Sequence, residues 1–325
     1  MKKKKKKKNL LVVNIEYALF LAASSIIKLL PTRLCFFIAR SAGAMIYILD
    51  FKHRRRMIRN IMHAGIAEDT REAARIARKT FAHFGMVFVE VLKFRSIINP
   101  QNIREHIKFS GTEKNLRYTF GNEKTKSRQT IVVAAHFGNW EIAGMAYSII
   151  SGRPMLSIMR NLDNYKIGAH LEKMREEYQH SLQGKKGALK SLLMAVKKGD
   201  TVCLVSDQHA STGEGAETVF FGHPARSHAS PASLHLRTGL PIVVGSLMRK
   251  DENFNFEFIV EDVIEYKPTD DREKDIQNVT QLYTSAIERM IRKCPEQWIW
   301  AHRRWLDLDR KKGNSTTKTQ RHEDL

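Results

Sequence analysis

The chain has 325 residues, 42% of them apolar, enough for one large domain or two modest ones with a sizeable core. A formal charge of +21 calls for an anionic partner, whether nucleic acid, membrane surface or acidic substrate. Three scattered cysteines, Cys35, Cys203 and Cys294, with no CxxC and no histidine pair at ligand spacing, argue against a disulfide framework and a zinc site.

In chain order, residues 1–9 form a basic tail built on Lys2 to Lys8. Leu10 to Leu30 follows, with 16 of 21 residues apolar. As a helix it is about 31 Å long, just sufficient to span a bilayer core. Asn14, Glu16 and Lys28 interrupt it, and a charge deep in a span costs about 2.5–3.5 kcal/mol. Its length favours a membrane anchor. An interfacial helix and a cleaved signal ending in "LAASS" remain alternatives, the latter weakened by Asn14 and Glu16. The seven lysines hold the N-terminus on the cytoplasmic side.

Residues 31–100 read as amphipathic basic helices. Pro31 breaks the first helix, "RLCFFIARSAGAMIYILD" (Arg33–Asp50) starts another, and "FKHRRRMIRNIMHAG" (Phe51–Gly65) adds a cationic one. Thr70–Arg95 turns Ile76, Phe81, Phe84, Val87, Phe88 and Val91 to one face; His83 there is read as structural. Residues 1–60 carry nine Lys and six Arg against Glu16 and Asp50, a balance of +13 beside the most apolar helices. That placement favours an anionic membrane surface, since each basic residue gains about 1 kcal/mol near anionic lipid. No basic motif interleaved with aromatics and no reader fold is present, so no nucleic-acid partner is expected.

From residue 101 apolar β-rich runs alternate with helical ones. The expected order is strand Ile131–Ala135, helix Trp140–Ile150, strand Pro154–Met159, helices Leu162–Tyr178 and Ala188–Lys198, and strand Val202–Val205. Helix Ser230–Thr238, strands Ile242–Leu247 and Phe254–Val260, and helix Asp271–Lys293 complete it. Strands apolar on both faces and separated by helices predict an α/β fold: a mainly parallel sheet flanked by helices, behind an N-terminal helical membrane-associated element. Residues 307–325 read as a polar tail.

The run "TIVVAAHFGNWEIAG" (Thr130–Gly144) ends a buried strand in His136, with Glu141 five positions on. Ligands of open α/β sheets gather beyond the carboxyl ends of the strands. A strand-to-helix corner can bring the Glu141 carboxylate to the imidazole, fixing its tautomer and leaving the other nitrogen free to take a proton. No "GxSxG" accompanies the pair, so direct attack by a substrate hydroxyl fits better than a covalent acyl-enzyme.

"HFGNWE" resembles the His-x4-acid motif of glycerolipid-type acyltransferases, in the form seen in the lipid A late acyltransferases. Three further blocks are similar in order: "RRRMIRNI", the stretch "VSDQHASTGEGAETVFFGHPARSHASPASLHLRTGLPIV" (Val205–Val243), and "PEQWIWAHRRW" (Pro295–Trp305). The resemblance covers roughly residues 10–306 and makes 101–306 the acyltransferase domain. It departs from the family at "ARSHAS", where Ser227 stands in for the usual threonine.

The resemblance implies transfer of a fatty acyl group from acyl-acyl carrier protein or acyl-CoA to a hydroxyl of a lipid A precursor or related glycolipid. It places the chain at the bacterial inner membrane, on its cytoplasmic face, and implies neither cofactor nor metal. His136 is then the general base and Glu141 its orienting carboxylate. Arg160, closing the strand "PMLSIMR", and Asp207 and Gln208, closing Val202–Val205, are expected on the same rim as substrate-binding groups. Phe221 and Gly222 are expected to shape an acyl pocket, and Arg226, with Arg303 and Arg304, to contact anions. Trp298, Trp300 and Trp305 read as core or interface aromatics.

Overall fold

The structure, a computed structural model, describes residues 9–121, 125–159, 162–184, 187–211 and 213–305. The basic tail before Asn9, the polar tail 307–325 and Arg160 lie outside the described residues.

The first third is helical: α1 (Leu10–Leu29), α2 (Thr32–Leu49), α3 (Phe51–His63) and α4 (Thr70–Ile97). Side chains set the starts. The oxygen of Asn9 accepts from the Leu11 amide, and Asp69 accepts from the Glu72 amide while Glu72 reaches back to the Glu68 amide. These bonds satisfy amides that the first helical turn leaves without partners. α1 and α2 are each long and apolar enough to cross a membrane.

A short turn, α5 (Ile103–His106), precedes β1 (Ile107–Ser110) and α6 (Glu113–Phe120). The alternating layer follows: β2 (Ile131–Ala134), α7 (Trp140–Ser151), β3 (Met155–Met159), α8 (Tyr165–Glu176), β4 (His180–Gly184), α9 (Ala188–Lys198) and β5 (Thr201–Val205). A two-stranded hairpin, β6 (Gly215–Phe220) and β7 (His223–His228), projects before α10 (Ser230–Thr238), β8 (Ile242–Arg249), β9 (Phe256–Ile264) and α11 (Arg272–Lys293).

The main sheet has seven strands in the order β1-β9-β8-β2-β5-β3-β4. Strands β8, β2, β5, β3 and β4 are mutually parallel, whereas β9 runs antiparallel to β8 and β1 parallel to β9. The reversal has a local cause. Helices connect the parallel strands, but only a short turn through Asp251 joins β8 to β9, and so short a connection permits only an antiparallel neighbour.

Because both faces are covered, the central strands are mostly apolar. Ile131 and Val133 of β2 face α3, α9, α10 and α11, while Val132 and Ala134 face α2, α4 and α7. The resulting fold is the mainly parallel α/β architecture expected from the alternation. The strands and helices missed are polar or at an edge: β4 carries His180, Ser181 and Gln183, and the hairpin carries Glu217, His223, Arg226 and His228.

Candidate active site

β2 and β5 are parallel neighbours with Ala134 opposite Val205. Two residues past each of these lie His136 and Asp207, so the register alone sets them side by side at the carboxyl edge of the sheet. The Asp207 side chain is fully buried. Its Oδ1 is 2.8 Å from the His136 Nδ1, and its Oδ2 accepts from the His136 amide at 2.9 Å and from the Trp298 indole N–H at 2.7 Å.

Chain turning at this corner depends on Gly138, which has a φ of +61°. A Cβ there would come within 2.1 Å of the Leu247 carbonyl oxygen, so only glycine fits. Asn139 then caps α7 by accepting from the Ile142 amide and donates to Glu90 of α4. Glu90 also pairs with Arg249 at the end of β8, whose guanidinium reaches His83. His83 bonds the Gly138 carbonyl, and burial together with the Arg249 charge holds its pKa well below the ordinary range. It is therefore a neutral structural histidine that braces the corner from behind.

A C-terminal strap braces the corner from the front. The Gly138 amide donates to the Gln297 carbonyl and the Ile299 amide to the His136 carbonyl. The Gln297 side chain bonds the Arg249 backbone in both directions, and Asn60 of α3 donates to the carbonyls of Trp300 and His302. "QWIWAHRRW" is thus a clamp on the histidine loop, and Trp298 is part of it through Asp207.

The electrostatics follow from burial and pairing. Burial tends to raise the Asp207 pKa, but the His136 charge and the hydrogen bonds from His136 and Trp298 overcome it and hold the carboxyl well below the usual range. Burial tends to lower the His136 pKa, yet the Asp207 charge and hydrogen bond, with a smaller contribution from Glu141, raise it. With Nδ1 donating to a permanent carboxylate, Nε2 carries the lone pair. The imidazole side chain remains 23% exposed. The Gln208 amide nitrogen sits 3.2 Å from His136 Nδ1 and 3.3 Å from its Nε2, against the ring, and 2.8 Å from His302 Nε2.

Glu141 does not make the bond expected of it. It lies in the first turn of α7, but its carboxylate forms an ion pair with Arg175 of α8, a side chain only 3% exposed. A buried guanidinium without a counter-ion would be costly, and Glu141 supplies that counter-ion. The carboxylate on the imidazole is Asp207, and Glu141 reaches His136 only through its charge.

The other expected site residues separate. Gln208 joins His136, as above. Phe221 and Gly222 form the β6–β7 turn with φ of 52° and 74°. Phe221 is buried among Phe220, Trp298, Trp300 and Trp305 beneath Arg292. Arg226 pairs across the hairpin with Glu217 and borders a polar cleft of about 790 Å³ against α11. Buried Arg304 donates to the Arg226 carbonyl and to Ser227 Oγ, so Ser227 is a hairpin-anchoring hydroxyl. His302, within the C-terminal block and not singled out by the motif, has its ring 5.5 Å from that of His136. Burial lowers its pKa. Among the described residues no cluster of three or more His, Cys, Asp or Glu is placed to hold a metal.

An almost wholly apolar groove of about 690 Å³ runs between α1, α2 and α4. Ala23, Ala39 and Ala42 line it with Gly43 and Gly85, where the α2 and α4 backbones meet, and Asp50, His53, Ile299 and Ala301 complete the lining. Ile299 and Ala301 belong to the strap, and the Ile299 amide bonds the His136 carbonyl, so the groove borders the histidine corner.

A buried acid–imidazole pair at the open edge of a parallel sheet, next to an apolar groove, suits an enzyme that activates a hydroxyl beside a hydrocarbon chain. The chain belongs to the family described as bacterial lipid A biosynthesis acyltransferase, which it matches over residues 1–307. It is similar to the lipid A biosynthesis palmitoleoyltransferase of Escherichia coli (strain K12), 22% identical over 279 residues, covering 85% of this chain and 86% of that protein. It is also similar to a phosphatidylinositol mannoside acyltransferase of Mycobacterium tuberculosis, 23% identical over 185 residues and 54% of each chain. Family membership makes it an acyl-transferring enzyme with a lipid A or glycolipid acceptor.

Proposed function

We propose that the chain esterifies a hydroxyl of a lipid A precursor with a fatty acyl group drawn from a thioester of acyl carrier protein or CoA, at the cytoplasmic face of the inner membrane. The observation that carries this reading is the His136–Asp207 pair beside the apolar groove. Asp207 holds Nδ1–H, so Nε2 accepts the proton of the acceptor hydroxyl. The alkoxide oxygen attacks the thioester carbonyl, the carbon–sulfur bond breaks, and the imidazolium returns the proton to the departing thiolate. Asp207, held ionised, stabilises the imidazolium between these transfers, and the Glu141 charge adds to that effect.

The groove is assigned to the acyl chain, because hydrocarbon placed there is shielded from water and ends beside the strap. The +21 charge favours an acidic carrier and an anionic surface. A phospholipid or mannoside acceptor would use the same pair. Mass spectrometry of lipid A from cells with and without the protein tests the acceptor and the chain together. A mass increase of one acyl group that requires the protein supports the reading; unchanged lipid A with another lipid acylated rejects it.

A further inference from the structure

We infer that α1 and α2 do not cross the bilayer but form an in-plane hairpin seated in one leaflet, on the same side as the catalytic domain. The inference deepens the proposed membrane association and rests on it. Length and hydropathy alone would let both helices span, but their polar contacts do not.

The first half of α1 is fastened to α8 and the loop before it. Asn164 donates to the Val13 carbonyl and to Glu16, and Lys166 donates to Asn14 at 2.8 Å. The His170 ring meets Phe20, near the middle of α1, edge-on at 5.4 Å. On α2, Arg40 is the ninth of 18 residues and forms an ion pair with Glu252 in the β8–β9 turn. If either helix stood across the membrane, these partners would enter the hydrocarbon with it, at about 2.5–3.5 kcal/mol for each central charge.

The elbow is more decisive. Lys93 of α4 donates to the Leu30 carbonyl at 2.7 Å, and Arg33 donates to Asn253 of the same β8–β9 turn. In a two-span hairpin the elbow would lie a full hydrocarbon thickness, about 30 Å, from the catalytic domain. In the structure it touches α4, which packs on the sheet, and the β8–β9 turn of the domain itself.

The outward faces fit one leaflet. On α1, Leu11, Ile15, Leu19 and Ile26 are more than half exposed and recur at helical spacing, opposite buried Val13, Phe20 and Ser24. On α2, Phe37, Ile38, Met45 and Ile48 are exposed, opposite Cys35, Phe36, Ala39 and Gly43. Phe51 and Phe88 extend the same apolar exposure onto α3 and α4. Positive charge accompanies it, at Lys28 beside the elbow and at Arg54 and Arg55 next to Phe51. An apolar stripe bordered by cations is the complement of an anionic leaflet rather than of a bilayer interior.

The test places one thiol on the elbow and one on the catalytic domain, Arg33→Cys with Asn253→Cys, in full-length protein carrying Cys294→Ser and held in native membranes. A short bis-maleimide should join the two positions. In sealed vesicles of either orientation, an impermeant maleimide should label position 33 only from the face that labels position 253. Loss of cross-linking with labelling of position 33 from the opposite face, or from neither, overturns the in-plane hairpin but leaves membrane association standing. A chain that stays in the soluble fraction and fails to float with anionic vesicles overturns both. Because these substitutions remove contacts, a Leu29→Cys chain with Arg33 and Asn253 intact is labelled in parallel. It should give the same sidedness, and the opposite sidedness rejects the inference.

Discussion

Asp207→Asn is the most informative substitution at the corner. The carboxylate makes three hydrogen bonds at 2.7–2.9 Å and is fully buried. An amide can keep only one of its two oxygens. If its nitrogen faces the His136 amide and the Trp298 indole, two buried N–H groups lose their acceptor, at about 1–3 kcal/mol each. If its nitrogen faces the ring, it donates to Nδ1 and drives the proton to Nε2, which removes the lone pair required of the base. The second arrangement costs less, so it prevails, and the general-base contribution, about 10²- to 10⁴-fold in rate, is lost while the fold survives. Removing the charge that raises the His136 pKa also moves the acid limb of any residual pH–rate profile downward. The assay is the initial rate of acyl transfer from a thioester donor to a lipid A precursor across pH, with a thermal melt on the same sample. A variant with the wild-type rate and an unmoved acid limb would refute the assignment of Asp207.

Four further outcomes are expected. Glu141→Gln should cost less activity than Asp207→Asn but more stability than a surface substitution, up to about 3–5 kcal/mol, because it strands the buried Arg175 guanidinium; a thermal melt and a rate measurement separate the two effects. Ala42→Phe narrows the groove between α2 and α4 and should shift the preferred donor to shorter chains, read by competition between acyl thioesters; an unchanged preference would place the acyl chain elsewhere. Gly85→Ala sets a Cβ within 2.5 Å of the Ala39 carbonyl oxygen. It should lower the melting temperature by the equivalent of about 1–3 kcal/mol. For acid stability, the Asp207 pKa is depressed on folding, so its stabilisation is present above the unfolded value of 3.8 and declines as pH falls towards the lower folded value. Melts from pH 6 downward should show acid destabilisation that Asp207→Asn reduces.

The central strands were legible because a strand covered on both faces is mostly apolar, as "IVVA", "TVCLV" and "IVVGSLMR" are. The edge strand β4 and the β6–β7 hairpin carry many polar residues, some of them buried, as His180 and Ser227 are, and their sequences resemble loops. His136 was legible from its position at a strand end. Its partner was not. Asp207 is 71 positions away and becomes a neighbour only through the pairing of β2 with β5, whereas Glu141, nearby in sequence, is drawn off by Arg175 of α8. The signal available was that both His136 and Asp207 lie two residues beyond the paired strand residues Ala134 and Val205, with Trp298 in the block that closes over them.

The central claim is that the His136 imidazole takes the proton from the acceptor hydroxyl. It is tested most directly by comparing acyl transfer by purified wild-type protein with that of His136→Gln, at equal binding to anionic vesicles. The account predicts a loss of about 10²- to 10⁴-fold with unchanged vesicle binding. Transfer at the wild-type rate by the glutamine variant would contradict it.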